Sequence, residues 1–264
     1  MTQPVVTEGV LAWSPRAGLR PVADADEPLL VADSWLVLDG RVRGLARHRE
    51  RFVRSCGECD GPPAYRLLEF WRDMTAALPR TGAWFPRVEL TPHHVRLRLR
   101  HAPPLGSTVE VWAIGRPDPR TVPRRKGPDL DTLAELRARA AEAGAQEAVL
   151  VDPSGVVLEA ATTSVLWWED DTLCLPPPRL PVLPGVTLAL IQEHAERLGI
   201  RVAHRERTLS DLADREVWLV NALHGIRPVT RWVGGPASAG AAARAPEWRK
   251  WLDEEVPEPL EMSG

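Results

Sequence analysis

The chain has 264 residues and a mass of 29.2 kDa, enough for one large domain or two ordinary ones with a real core. Its 33 Lys and Arg against 36 Asp and Glu leave a net charge of -3, which argues against a protein built to bind nucleic acid. A hydrophobic share of 44% excludes disorder throughout, and three cysteines exclude a disulfide scaffold. No apolar run approaches the about 18 residues a membrane span needs. Met1-Thr2-Gln3-Pro4 carries no signal-peptide pattern, so a cytoplasmic protein with no membrane partner is expected.

In chain order, short apolar runs over 9–20 and 29–43 read as strands, with Asp39-Gly40 as a hairpin turn. Helices are expected over 45–55 and 63–78. In the second, Tyr65, Leu68, Phe70, Trp71 and Ala76 suggest an apolar stripe. From 84 to 114 the period becomes two, and the arginines of Val95-Arg96-Leu97-Arg98-Leu99-Arg100 read as the wet face of an antiparallel sheet. The run 116–123 holds three prolines and no periodicity, the signature of a linker.

A helix is then expected over 129–143, stopped by Gly144, followed by strands at 148–151, 156–159, 164–168 and 172–175. A helix over 186–198 ends at Gly199, strands fall at 201–205 and 216–220, and Pro246 opens a terminal helix. The Gly-, Ala- and Ser-rich stretch 234–245 reads as flexible. The sum is a mixed α/β chain of two domains: 1–117, a linker at 118–124, and 125–264.

Of the 33 basic residues only Lys126 and Lys250 are lysine. Arginine cannot give up its proton or form an imine, whereas lysine can do both, so a surviving lysine marks a place where an amine is needed. Lys250 has a simple solvated reading in Glu247-Trp248-Arg249-Lys250-Trp251. Lys126, just before a helix, is the chemical candidate. Downstream, Gly155-Val156-Val157-Leu158-Glu159 ends an apolar strand on a carboxylate with no basic neighbour in sequence, so Glu159 is either wet or held by a buried cation. Leu183-Pro184-Gly185-Val186-Thr187 runs straight into a helix, where free N–H groups and the dipole favour an anion. The turn Asn221-Ala222-Leu223-His224-Gly225 after a buried strand offers further amides.

An amine, a lone carboxylate and two anion-cradling loops are the parts that pyridoxal phosphate requires. Their order resembles the class IV aminotransferases, the fold-type IV pyridoxal-phosphate enzymes. Lys126, the Gly155 to Glu159 strand and Gly185-Val186-Thr187 match the family pattern, and Asn221-Ala222-Leu223 is most similar to its aminodeoxychorismate lyase branch. His48-Arg49-Glu50-Arg51-Phe52 resembles the family's His-x-x-Arg helix. The resemblance implies a smaller N-terminal α/β domain, a larger barrel-like C-terminal one, and a homodimer. It implies a Schiff base at Lys126 and a pyridinium partner in Glu159. Arg51, Val186 and Thr187, with the Ala222 or Leu223 amide, would hold the phosphate. Ser164 and His224 would face the substrate.

Three departures stand out: Ser164 replaces the usual Asn, Leu188 replaces the Arg after the phosphate loop, and Ala23-Asp24-Ala25-Asp26-Glu27-Pro28 stands where the family has a Gly-Asp-Gly segment. The implied activity is transamination of an amino acid or amine. The alternatives are elimination from 4-amino-4-deoxychorismate to 4-aminobenzoate and pyruvate, and a non-catalytic relative that keeps the fold. No metal is expected: Cys56 and Cys59 form a CxxC without the two further ligands zinc needs, and His93, His94 and His101 have no carboxylate set beside them.

Overall fold

Strand pairing in the first hundred residues places like residues on like faces, and the sheet follows from it. In the computed structural model, which describes residues 8–113, 117–236 and 238–260, Gly18–Val22, Gly9–Ser14, Val95–Leu99, Arg87–Leu90 and Val31–Ser34 form a five-stranded antiparallel sheet in that order. A second small sheet joins Glu258–Pro259, Arg41–Val42, Val37–Leu38 and Ala83–Trp84. Its Val37–Leu38 and Arg41–Val42 strands are linked by the expected turn, with Asp39 and Gly40 both at positive φ (46° and 72°), as a tight hairpin requires.

Helix α1 (Leu45–Gly57) buries His48, Arg51, Phe52, Ser55 and Cys56, a stripe at i, i+3, i+4, i+7 and i+8. Helix α2 (Ala64–Ala77) buries Leu67, Phe70, Trp71, Met74 and Thr75. Tyr65 and Leu68, expected in that stripe, are exposed, and so is Ala76. They lie one step round the helix from the 67-70-71-74 row that meets the core. Trp35, Phe52, Phe70 and Trp71 pack there with ring centroids 5.2–6.3 Å apart.

The charged face of the sheet is not wet. Register sets Arg87 opposite Arg98 and Glu89 opposite Arg96, so all four share one face with Arg100. Glu89 is fully buried and Arg96 is 2% exposed. Arg87 Nε and Arg98 Nε donate to Glu89 Oε1 at 2.7 and 2.8 Å, and Arg96 Nε donates to Oε2 at 3.0 Å. Alternation reports which residues share a face, not what covers it; here a carboxylate allows arginines to be covered.

The chain divides into two compact units: Met1–Leu105 with Arg125–Pro128 and Val256–Gly264, and Gly106–Arg124 with Asp129–Glu255. The expected linker 118–124 therefore lies within the second unit. Asp118 N donates to Val151 O (2.8 Å), and Asp129 accepts from Thr121 N and Val122 N (both 2.9 Å). Prolines end regular structure there without ending contacts.

The second unit holds an eight-stranded mixed sheet in the order Val157–Ala160, Glu147–Val151, Val109–Trp112, Gly225–Val233, Val217–Asn221, Ser164–Glu169, Thr172–Leu175 and Arg201–His204. Its strands read as near-continuous apolar runs because both faces are covered. The sheet curls on itself. Val156 bridges Thr208, and Val157 N donates to Arg207 O at 2.8 Å, so the first strand meets the segment that follows the last. Helices α3 (Leu130–Glu142), α4 (Val186–Arg197) and α5 (Ala245–Glu254) pack on it. The stretch 234–245 is tied down in its described part: Ser238 Oγ donates to Asp214 (2.5 Å) and Gly240 N to Arg215 O (3.0 Å). Among the described residues no helix is long and apolar enough to cross a membrane.

Removing the Glu89 carboxylate would leave three guanidinium groups facing each other with little water. Glu89→Ala is expected to cost about 3–5 kcal/mol of stability by urea denaturation, and a loss below about 1 kcal/mol would contradict the buried-cluster account.

Candidate active site

The segment 125–128 returns to the first unit by docking on the strand Val31–Ser34. Ala32 N donates to Lys126 O at 2.7 Å. Gly127 follows at φ 139°, and a Cβ there would stand 2.9 Å from Val31 Cα and 3.0 Å from Ala32 N. Only glycine permits that approach. The half-buried Lys126 has an amine whose pKa is pushed down to about 8, first by burial, then by Arg51, with Arg100 and Arg87 adding to it and Asp33 opposing. A neutral amine is therefore accessible near neutral pH.

Asp33, in that strand, is fully buried. One turn of α1 supplies both its partners: His48 Nδ1 lies 2.8 Å from Oδ1, and Arg51 spans both oxygens with Nε (2.9 Å) and Nη2 (2.7 Å). Burial opposes the charge on Asp33, but Arg51 and His48 outweigh it and hold the carboxyl well below its usual range. Burial pushes His48 down, so its ring is neutral. With Nδ1–H assigned to Asp33, Nε2 is a bare acceptor; it is buried with no hydrogen-bond partner among the described residues. Arg51, the residue the resemblance assigns to phosphate, thus presents two of its nitrogens to Asp33.

Arg100 differs from the other arginines of its face. It donates through Nε to Phe85 O (2.8 Å) and through Nη2 to Ser34 Oγ (3.5 Å), and its guanidinium lies 4.7 Å over the Phe85 ring. Among the described residues no carboxylate pairs with it. Burial first, then Arg87 and Arg98, hold its pKa down to about 10.

In the second unit, Glu159 is 4% exposed. Its cation is Arg120, which lies 39 residues upstream: Nη1 donates to Oε1 at 2.5 Å, and Leu183 N donates to the same oxygen at 2.9 Å. Oε2 accepts no hydrogen bond among the described residues. Burial raises the Glu159 pKa to about 6 against the pull of Arg120. Arg120 also grips Asp118, through Nε (2.9 Å) and Nη2 (2.7 Å).

Two residues beyond Leu183, Gly185 is the N-cap of α4, extended at φ -72° and with no side-chain cap. A Cβ on Gly185 would lie 2.6 Å from Ser164 Oγ, so glycine lets the helix start against the strand that carries Ser164. Val186 and Thr187 are buried in the first turn. Glu159, Ser164 and 185–187 are thereby brought together in one unit. Asn221 joins them through Nδ2, which donates to Thr162 O (3.3 Å). Its Oδ1 accepts from Leu223 N (3.1 Å) and His224 N (2.8 Å), so the Leu223 amide is turned inward to its own loop. His224 Nδ1 accepts from Gly106 N at 3.2 Å.

Sequence reading had Lys126, Arg51, Glu159 and the 185–187 loop, but not Asp33, Arg100, Asp118 or Arg120. The acid in Leu30-Val31-Ala32-Asp33 was legible as a charge inside an apolar strand; nothing local marked the other three. Cys56, Cys59 and Cys174 are free thiols, and burial pushes all three up.

Residues 30–232 match the family model for amino-transferase class IV, and the chain belongs to that family. Class IV aminotransferases are pyridoxal-phosphate enzymes. The chain is 31% identical over 85 residues to an aminodeoxychorismate lyase of Vibrio harveyi, covering 32% of this chain and 31% of the relative. It is 32% identical over 131 residues to a branched-chain-amino-acid aminotransferase of Escherichia coli (strain K12), covering 47% and 41%. The chain thus spans only about a third to two fifths of these curated relatives' length. Among solved structures, a hypothetical aminotransferase from Mycobacterium tuberculosis in a PLP-bound form superposes with a TM-score of 0.77 at 19% identity, over 94% of this chain and 99% of that one. The branched-chain amino acid aminotransferase from Escherichia coli gives 0.77 at 17% identity, over 97% and 100%. At such identities the fold is what is shared.

The close approach at Gly127 generates a test. Gly127→Ala is expected to lower stability by about 2 kcal/mol or more in thermal unfolding, since two backbone atoms must give way. It should also move the Lys126 labelling profile with an amine-reactive reagent from about pH 8 toward that of a free lysine.

Proposed function

We propose that this protein is a pyridoxal-phosphate-dependent aminotransferase that takes an amino group from an amino acid or amine, acting as a homodimer in the cytoplasm. The observation that carries the reading is Lys126: a desolvated amine in the field of several arginines, in a chain whose only other lysine is Lys250. The residues present fit the cofactor. Glu159 keeps Oε2 without a hydrogen bond among the described residues, open for a protonated ring nitrogen. The uncapped start of α4 at Gly185, with the Val186 and Thr187 amides and the Thr187 hydroxyl, suits a phosphate dianion.

Pyridoxal phosphate, when bound, supplies an electron sink for charge developing at the amino-bearing carbon of the substrate. The chain supplies the rest. Lys126 Nζ, neutral above about pH 8, would hold the cofactor through its amine and, when released, could take and return the proton at that carbon. Glu159 holds the positive charge at the ring nitrogen. Arg100, whose guanidinium has no carboxylate partner among the described residues, would receive the carboxylate of an amino acid. Elimination from 4-amino-4-deoxychorismate is the second reading, favoured by the likeness to the Vibrio harveyi lyase; it would draw on the same groups.

Borohydride reduction of the protein with pyridoxal phosphate is expected to fix the cofactor on the peptide carrying Lys126, and a label on Lys250 would overturn the assignment. Lys126→Ala should lower turnover by about a thousandfold or more. A new keto acid from an amino donor supports transamination; pyruvate with 4-aminobenzoate supports the lyase. Arg100→Gln should raise KM for carboxylate-bearing donors about tenfold to a hundredfold and leave amines without a carboxylate unaffected. An equal effect on both would remove Arg100 from substrate recognition.

A further inference from the structure

One guanidinium in the second unit joins Glu159 to the turn that leads into the candidate phosphate loop. Arg120 donates through Nη1 to Glu159 Oε1 at 2.5 Å and through Nη2 to Pro181 O at 3.2 Å. The Arg120 and Glu159 side chains are each 5% exposed, and Asp118, 9% exposed, fixes the fork of Arg120 from its far edge. Leu183 N closes the ring by donating to the same Glu159 oxygen at 2.9 Å. The turn 181–183 is thus held at both ends of the ion pair, and two residues later Gly185 begins α4 against Ser164. Arg124 pins the preceding stretch, with Nη2 donating to Pro178, Arg179 and Leu180 carbonyls at 2.7, 2.9 and 2.7 Å.

We propose that Arg120 is a positioning residue which, by clamping Glu159 and the 181–183 turn together, sets the ring-nitrogen contact and the phosphate cradle of the pyridoxal-phosphate seat as one rigid unit. The inference rests on reading Glu159 and 185–187 as that seat. Its physical content is that a buried carboxylate needs a fixed cation to stay ionised. The groups facing Glu159 are Arg120, Asp118 and the Leu183 amide. Of these Asp118 raises its pKa and Arg120 and Leu183 lower it, so loss of Arg120 favours the protonated acid. The free oxygen would then cease to attract a ring N–H⁺. The turn would lose its tether to Arg120 at Pro181, while the Leu183 amide would face a neutral acceptor.

The test compares wild-type protein with Arg120→Gln, Arg120→Lys and Glu159→Gln, stripped of cofactor and titrated with pyridoxal phosphate and with pyridoxal, which lacks the phosphate. Wild-type affinity is expected to fall as pH drops through about 6. In Arg120→Gln that fall should move to higher pH, and the affinity for pyridoxal phosphate at pH 7 should weaken about tenfold to a hundredfold. The gain that the phosphate contributes, read from the ratio of the two ligands, should shrink as well. Arg120→Lys keeps the charge but not the fork, so it should restore the pH profile and leave the phosphate ratio low. Glu159→Gln should abolish the pH step.

Affinity within about twofold of wild type and an unmoved pH profile in Arg120→Gln would overturn the clamp. So would a lower melting temperature with no change in either binding readout. If Arg120→Gln does not fold, Arg120→Lys decides: an unchanged phosphate ratio there overturns the proposal. Failure of the wider reading looks different, because wild-type protein would then give no reduced adduct at Lys126.

Discussion

A buried lysine amine in the field of several arginines has one physical consequence: its charged form is disfavoured twice, by lost water and by like charge. For Lys126 burial comes first, the charges of Arg51, Arg100 and Arg87 add to it, Asp33 opposes, and its pKa settles at about 8. For this to persist, the segment 125–128 must be held tightly and the neighbouring cations must be fixed in place. Gly127 meets the first need by its contact with Val31, and Asp33 and Glu89 meet the second. The architecture of the first unit can be read as the support for one amine whose proton is held less firmly than that of a free lysine.

Such support is demanding because buried charge is costly unless each member is paired and oriented. Glu89 accepts from three arginines, and Asp33 from Arg51 and His48. Arginine suits these clusters better than lysine, since its planar fork reaches two oxygens and its charge cannot be lost. An arginine-rich composition therefore served structure as well as solvation here. Among the described residues Arg100 is left outside the carboxylate pairing and donates to Phe85 O and Ser34 Oγ.

The second unit solves the complementary problem around its eight-stranded sheet. Its sheet is a set of apolar runs, and ionic groups gather at strand ends and loops: Glu159 with Arg120 and Asp118, and Glu147 with Thr162. The curl of the sheet brings the loops after Glu159, before α4 and after Asn221 into one neighbourhood. Small residues at Gly185 and Ser164 then allow backbone amides to reach the front.

Much of this was readable beforehand, for local reasons. Period and punctuation located the hairpin at Asp39-Gly40, the helices and the apolar strands, and the scarcity of lysine with the order of three motifs picked out Lys126, Glu159 and 185–187. Other features depended on distant partners. Whether Arg96 was wet turned on Glu89 across the strand pair; whether Tyr65 or Leu67 faced inward turned on where the core lay; whether Glu159 was paired turned on Arg120, 39 residues away. By itself the sequence determined most secondary structure and singled out a candidate amine and a candidate anion loop, because propensity, periodicity and helix-start chemistry act within a few residues. Only the tertiary structure decided which charges are buried together and what each neutralises, because an ion pair's strength depends on burial and on a neighbour that chain order does not specify.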